Sequence, residues 1–169
     1  MMVRTELLTI ISKIYDTHVS SLDWESCLYS LVDLLQEYNI SEVWMELGRY
    51  ATAECGVYAA KVVERKNVYG KELLILDGGT NHLSRPALVK QYFPCLHVSS
   101  LKQVHHSSNS PSNIYAIHGP LCTALDFLGE HELPSHVMPG DTLLFFMTGA
   151  YGFTESMPYF LGHPIAGVS

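Results

Sequence analysis

The stretch GPLCTALD, Gly119–Asp126, places a cysteine behind a Gly-Pro corner and an aspartate four positions later. A thiol in that setting has three uses: a small packed hydrophobe, a soft metal ligand or a proton donor. Three other stretches carry comparable groups: ELGRY (46–50), DGGTNHLSRPAL (77–88) and TGAYGFTES (148–156). Glu46 and Arg49 flank Gly48, and a carboxylate and a guanidinium so spaced can serve opposite ends of one ligand while the glycine lets backbone approach it. Each group also has a plain structural use. Glu46 and Arg49 suit a surface turn, Gly78-Gly79 a bulge, Arg85 ahead of Pro86 a solvated turn, and Tyr151 a core position.

Metal chemistry is poorly supported. His105 and His106 are adjacent, so on a strand they point to opposite faces and make a poor chelate. There is no C-x-x-C pair and no H-x-x-x-H spacing among the four cysteines and nine histidines. No metal site is expected. The wide spacing of Cys27, Cys55, Cys95 and Cys122 points to reduced thiols and a cytoplasmic location rather than a disulfide framework.

Composition narrows the partners. The 169 residues are 47% hydrophobic and 16% charged, enough apolar material for a sizeable core. The net charge of −7 and the lack of a basic run argue against nucleic acid or an anionic membrane surface. The opening MMVRTELLTIISKIY is interrupted by Thr9, Ser12 and Lys13 and lacks a small-residue cleavage site, so no signal peptide is expected. No apolar run reaches the roughly 18 residues of a membrane span.

These groups must be positioned by two kinds of structure. Leu7, Leu8, Ile11 and Ile14 form one helical stripe; Leu28, Leu31, Val32 and Leu35 form another, with Asp23 as N-cap and Asn39 closing the helix. A strand is expected over Glu42–Glu46, and helix then strand is the repeating unit of an α/β barrel or doubly wound sheet. Beyond Arg49 the pattern is β. Tyr50–Glu64 and KELLILD (71–77) read as a hairpin linked by RKNVYG, and SSNSPSN (107–113) as a loop tip. IYAIHG (114–119) starts another strand, and the turn MPGD (138–141) feeds the strand TLLFFM (142–147). The expected architecture is mainly β: a C-terminal β-barrel domain, residues 49–169, behind a helix-strand remnant of a (β/α)8 barrel, residues 1–48.

In this order and spacing the four stretches resemble the type III pyridoxal-phosphate-dependent decarboxylases, the alanine-racemase-like group acting on ornithine, arginine or diaminopimelate. The resemblance covers about residues 20–169. ELGR stands where that family has Glu-Pro-Gly-Arg after its last barrel strand, with Leu47 replacing the proline. The resemblance implies that Glu46 keeps the pyridine nitrogen of pyridoxal phosphate protonated, and that Arg49 contacts the cofactor phosphate or a substrate carboxylate. Tyr151 would lie against the cofactor near its phosphate. Cys122 would reach a partner subunit's site and return a proton to the α-carbon after CO2 leaves. A thiol suits that task because its ordinary pKa is about 8.5. Arg85 and Asp126 would face the substrate, Arg85 through its distal carboxylate. Thr123 stands where basic-amino-acid decarboxylases carry Asp or Glu, and Val89 where diaminopimelate-type members carry tyrosine, which leaves the amino acid open.

The resemblance also marks what this sequence lacks. In that family the lysine that bonds the cofactor lies on the first barrel strand, far upstream of ELGR, and Lys13, Lys61, Lys66, Lys71, Lys90 and Lys102 sit in other contexts. The chain is therefore expected to be catalytically incomplete alone, the C-terminal part of a homodimeric decarboxylase. The alternative is a non-catalytic β-domain that assembles with a separately encoded pyridoxal-phosphate-binding barrel.

Overall fold

The computed structural model describes residues 23–98 and 111–167, which a boundary between Leu47 and Gly48 divides into two compact units. The helical stripe on residues 7–14 and most of the 107–113 loop tip lie outside the described residues.

In the first unit, helix α1 spans Trp24–Glu37. The Asp23 carboxylate accepts from the Ser26 amide (3.1 Å), satisfying one of the orphan donors of the first turn. At the other end Asn39 is left-handed (φ 51°), and the amides of Asn39 and Ile40 return to the carbonyls of Gln36 and Leu35. That is the Schellman closure, with asparagine as its turning residue. Residues 41–47 form no strand, contrary to the expectation for Glu42–Glu46. A strand exists through its ladder, and no described strand pairs with this segment.

The second unit is a six-stranded, nearly closed barrel: β1 (Val57–Val68), β2 (Lys71–Leu76), β3 (Cys95–His97), β4 (Ser112–His118), β5 (Phe127–Pro134) and β6 (Thr142–Phe146). The order is β3-β6-β1-β2-β4-β5, antiparallel throughout except for the parallel pair β2–β4. The long β1 closes the turn of the sheet. Its first half pairs with β6, its second with β2, and the register shifts between Val62 and Glu64. The predicted hairpin is present, but RKNVYG is no linker. β1 runs on through Val68 and turns on Tyr69 (φ 50°) and Gly70 (φ 82°) alone. Two consecutive positive φ values give the type I′ turn that matches strand twist.

Inward residues alternate along each strand: Ala60 and Val62, Leu74 and Leu76, Tyr115 and Ile117, Leu143 and Phe145. Burying each of the larger side chains contributes about 1.5–3 kcal/mol. The far end of the barrel is plugged by Arg65. Its guanidinium stacks 5.2 Å from the Tyr115 ring, pairs with Glu72 (2.9 Å) and donates to the carbonyls of Ser135 and Val137. Two short helices flank the barrel, α2 (Gly48–Thr52) and α3 (Arg85–Val89). Among the described residues no helix is long and apolar enough to cross a membrane.

Strand direction then dictates where the loops go. β2, β4 and β6 all run antiparallel to β1 or parallel to one another, so their C-terminal ends share one end of the barrel with the start of β1. Residues 48–56, 77–84, 119–126 and 147–156 therefore gather there.

Candidate functional site

Backbone contacts build this end of the barrel before any side chain does. The amides of Thr148 and Gly149 donate to the carbonyls of Gly56 (3.1 Å) and Ala53 (2.9 Å), laminating the turn after β6 onto α2 and the 3-10 turn behind it. A side chain at Gly149 would strike the Thr52 carbonyl, so only glycine admits that approach. The lamination brings Arg49 to the 148–156 turn. Its Nη2 donates to the Ala150 carbonyl (3.3 Å), and its guanidinium lies 5.7 Å from the centre of the Tyr151 ring.

Tyr151 itself is half exposed and left-handed, with φ 57°. Few residues with a Cβ adopt that conformation unless the surroundings impose it. Here the turn directs the phenol back over Gly48, where an added Cβ would stand 2.7 Å from the hydroxyl.

Arg85 joins the same cluster from α3. Pro86 occupies the first turn of that helix, a start signal that turns SRPAL into a helix rather than the solvated turn its Arg-Pro pair suggests. Arg85 Nη1 makes a forked contact with both carboxylate oxygens of Glu155 (3.2 and 2.9 Å), and its Nε donates to Gln91 (2.7 Å). Ser84 fastens the helix to the turn after β6: its hydroxyl donates to the Glu155 carbonyl (2.8 Å) and its amide to the Ser156 hydroxyl (3.3 Å). Partial burial, then the Arg85 guanidinium, pull the Arg49 pKa below its ordinary value, while Glu155 and Tyr151 oppose them.

The loop bearing Cys122 is held by Asp126. This carboxylate is 2% exposed, and its two oxygens accept from the amides of Thr80 (2.7 Å) and Leu121 (2.6 Å). Side chains at Gly79 or Gly119 would collide with it, so the two glycine backbones clasp the carboxylate between them. Gly79 thus serves this clasp while Gly78 makes room for the Tyr58 hydroxyl and His82, so the pair is no bulge in a ladder. Cys122 is exposed at the crest of the loop. Thr123 is partly buried, its hydroxyl accepting from the Leu125 amide (3.3 Å).

Arg49, Tyr151 and Arg85 are brought together; Asp126, contrary to the expectation that it faces the substrate, lies buried beneath the Cys122–Thr123 loop with both oxygens taken by backbone amides. Glu46 belongs to the other unit and is exposed. Two partners were not legible in the motifs. Glu155 pairs with Arg85 across 70 positions, and such a pair leaves no local pattern. Tyr58 and His82 form the second: their contact (3.0 Å) continues from His82 Nε2 to the Pro164 carbonyl (2.7 Å). The carbonyl can only accept, so Nε2 carries the proton and Nδ1 takes the Tyr58 hydroxyl. Burial, helped by Asp77 and Asp126, raises the Tyr58 pKa.

The chemistry of this donor set suits an anion. A planar guanidinium and a phenol hydroxyl both donate, and the Arg49 guanidinium meets a carbonyl and a ring, whereas that of Arg85 is already paired with Glu155. These residues fit the phosphate end of pyridoxal phosphate.

Comparison with known proteins bears on the family rather than on single residues. The sequence pattern described as "Pyridoxal-dependent decarboxylase, C-terminal sheet domain" matches residues 12–149. An L-glutamyl-acyl-carrier-protein decarboxylase of Niallia circulans is 30% identical over 89% of this chain and 36% of its own length. A diaminopimelate decarboxylase of Haemophilus influenzae is 31% identical over 77% of this chain and 30% of its own. Among solved structures, the diaminopimelate decarboxylase of M. jannaschii with L-lysine superposes with a TM-score of 0.58 and 28% identity, over 69% of this chain and 25% of that one. The chain thus spans about a third of the length of the curated relatives it matches. By its matched sequence and its barrel, this chain belongs to the C-terminal sheet domain family of the pyridoxal-dependent decarboxylases.

Proposed function

We propose that this chain supplies part of the active site of a pyridoxal-phosphate-dependent amino-acid decarboxylase working in the cytoplasm as a homodimer. When bound, pyridoxal phosphate accommodates the electron pair left behind as CO2 departs. Arg49 and Tyr151 hold and orient the anionic phosphate end by charge and by hydroxyl donation. Glu46, by the family resemblance, would keep the pyridine nitrogen protonated. Arg85 and Thr123 face the substrate. Cys122 carries a proton on Sγ and delivers it to the α-carbon in the neighbouring subunit's site, after which solvent restores it, since the residue is exposed. Asp126 is a positioning residue: its grip on two loop amides fixes the height of Cys122. Because it spans only about a third of the length of its curated relatives, the chain does not decarboxylate by itself. The observation that carries this reading is the stacking of Arg49 on a left-handed Tyr151 beside a second guanidinium.

Titration of the purified chain with inorganic phosphate and with pyridoxal 5′-phosphate, followed by arginine side-chain NMR signals, tests it. Both ligands should move the Arg49 signals, and Arg49→Gln should weaken binding at least about tenfold, the loss expected for one charge-assisted contact. Equal binding by Arg49→Gln and by the unaltered chain would refute the assignment. Borohydride treatment of the pyridoxal phosphate mixture should leave no pyridoxyl group fixed on any single lysine.

A second reading, assembly with a separately encoded barrel, is favoured by the first unit. Leu28 and Val32 on α1 are about half exposed, and Trp44 is 87% exposed. Co-purification with a barrel protein carrying the cofactor lysine would support it, and a monomer that ignores such a barrel would count against it.

A further inference from the structure

We propose that Glu155 is a specificity-determining residue: by engaging Arg85 it withdraws that guanidinium from anion recognition, so the substrate group received there is uncharged and polar rather than a second carboxylate. The inference rests on the assignment of this barrel end to ligand binding, and it deepens that assignment by naming the class of substrate side chain.

The geometry carries it. Arg85 spends Nη1 on both oxygens of Glu155 and Nε on Gln91. Two of the three nitrogens that would grasp a ligand carboxylate are thus engaged by the protein, Nη1 by a carboxylate and Nε by an amide oxygen, which breaks up the two-nitrogen fork. The pair is also partly sheltered, with side-chain exposures of 21% for Arg85 and 33% for Glu155. The main chain that carries Glu155 is fastened to α3, which keeps its carboxylate within reach of Arg85. Its own carbonyl accepts from the Ser84 hydroxyl, and the neighbouring Ser156 hydroxyl receives the Ser84 amide and donates to the Gly152 carbonyl (2.7 Å). Arg49, near enough to feel the charge of Arg85, bonds a carbonyl and an aromatic face instead. The two arginines therefore have different callings. Arg49 is presented for an anion, whereas Arg85 is satisfied from within. An incoming carboxylate would have to displace Glu155 and leave a second negative charge beside it. An incoming ammonium would meet a carboxylate already neutralised. A hydroxyl or amide avoids both conflicts, since it can share the outer lone pairs of Glu155 and the remaining donors of Arg85.

The test uses glutarate, a dicarboxylate probe, and inorganic phosphate on the purified chain, with calorimetry for affinity and NMR for fold. Removing the carboxylate with Glu155→Gln, or with the apolar and similarly sized Glu155→Met should the amide disturb the turn, is expected to tighten glutarate binding at least tenfold. Adding Arg85→Gln should cancel that gain, and phosphate affinity should change less than threefold. A folded Glu155 variant with unaltered glutarate affinity would overturn the proposal, as would a gain that survives Arg85→Gln. Phosphate binding indifferent to Arg49 would instead overturn the ligand-site assignment, and that arm is read independently of the glutarate arms.

Discussion

Asp126 is the residue on which the presentation of Cys122 depends. A buried carboxylate accepting two short amide bonds cannot be exchanged for an amide without turning one acceptor into a donor that faces an N–H. Asp126→Asn should therefore cost about 2–3 kcal/mol in denaturant unfolding. Cys122→Ala, at an exposed position, should stay within about 0.5 kcal/mol of the unaltered chain. Thiol chemistry gives a parallel check. Cys27, Cys55 and Cys122 are exposed, whereas burial against the core pushes the Cys95 thiol far up. Alkylation at neutral pH should be rapid at the first three and slow at Cys95. Arg49, Cys122, Asp126 and Tyr151 could be singled out in the sequence because each sits in a short stretch of unusual residues. The burial of the Asp126 carboxylate could not, because it is imposed by Gly79, 47 residues upstream. Glu155 escaped for the same reason: its partner is brought by α3, and only the folded chain places them together.

At the scale of elements, the turn between β1 and β2 is the place where local chemistry and local conformation disagree. Tyr69 adopts a positive φ at the first corner of a type I′ turn, and its side chain is fully exposed. Asparagine tolerates that conformation at lower cost, so Tyr69→Asn should stabilise the chain by about 0.5–1 kcal/mol. Gly70→Ala should destabilise it by a similar amount or more, since Gly70 has φ 82°. This turn also shows what could be read in advance. Alternating apolar residues revealed both strands of the hairpin, and Gly70 marked its tip. The polar run RKNV hid the outer half of β1 because those side chains face solvent or, in Arg65, plug the barrel end. The three-residue β3 and the parallel pairing of β2 with β4 left no local mark either, being set by closure of the sheet. The strand anticipated at Glu42–Glu46 had the right residues but lacks a ladder partner among the described strands.

Over the whole molecule, titration of one barrel histidine and one far-end carboxylate contributes to the acid response. Burial holds the His131 imidazole below its ordinary value of 6.5, against the pull of the Leu128 carbonyl. The unfolded chain then takes up that proton first as pH falls, so this contribution to stability is whole above about pH 6.5 and is lost as pH drops toward the folded value. Hydrogen bonds from Asn67 and Arg65 hold Glu72 below the usual carboxylate range, which adds a second loss at lower pH, below about 4.5. Melting temperatures measured from pH 8 to pH 3 should fall in these two windows. His131→Gln should flatten the upper one and Glu72→Gln the lower. The barrel thereby keeps both contributions to its stability at neutral pH.

The proposed division of labour between subunits makes the sharpest demand. In the enzyme formed with its barrel half, one protomer carrying Cys122→Ala is mixed with another carrying Arg49→Gln and Tyr151→Phe, and decarboxylation is measured after subunit exchange. Because each site would draw its thiol from one subunit and its anion-binding pair from the other, the mixture should recover about a quarter of the unaltered activity although each parent is nearly inactive. Activity no greater than the average of the two parents would contradict the account.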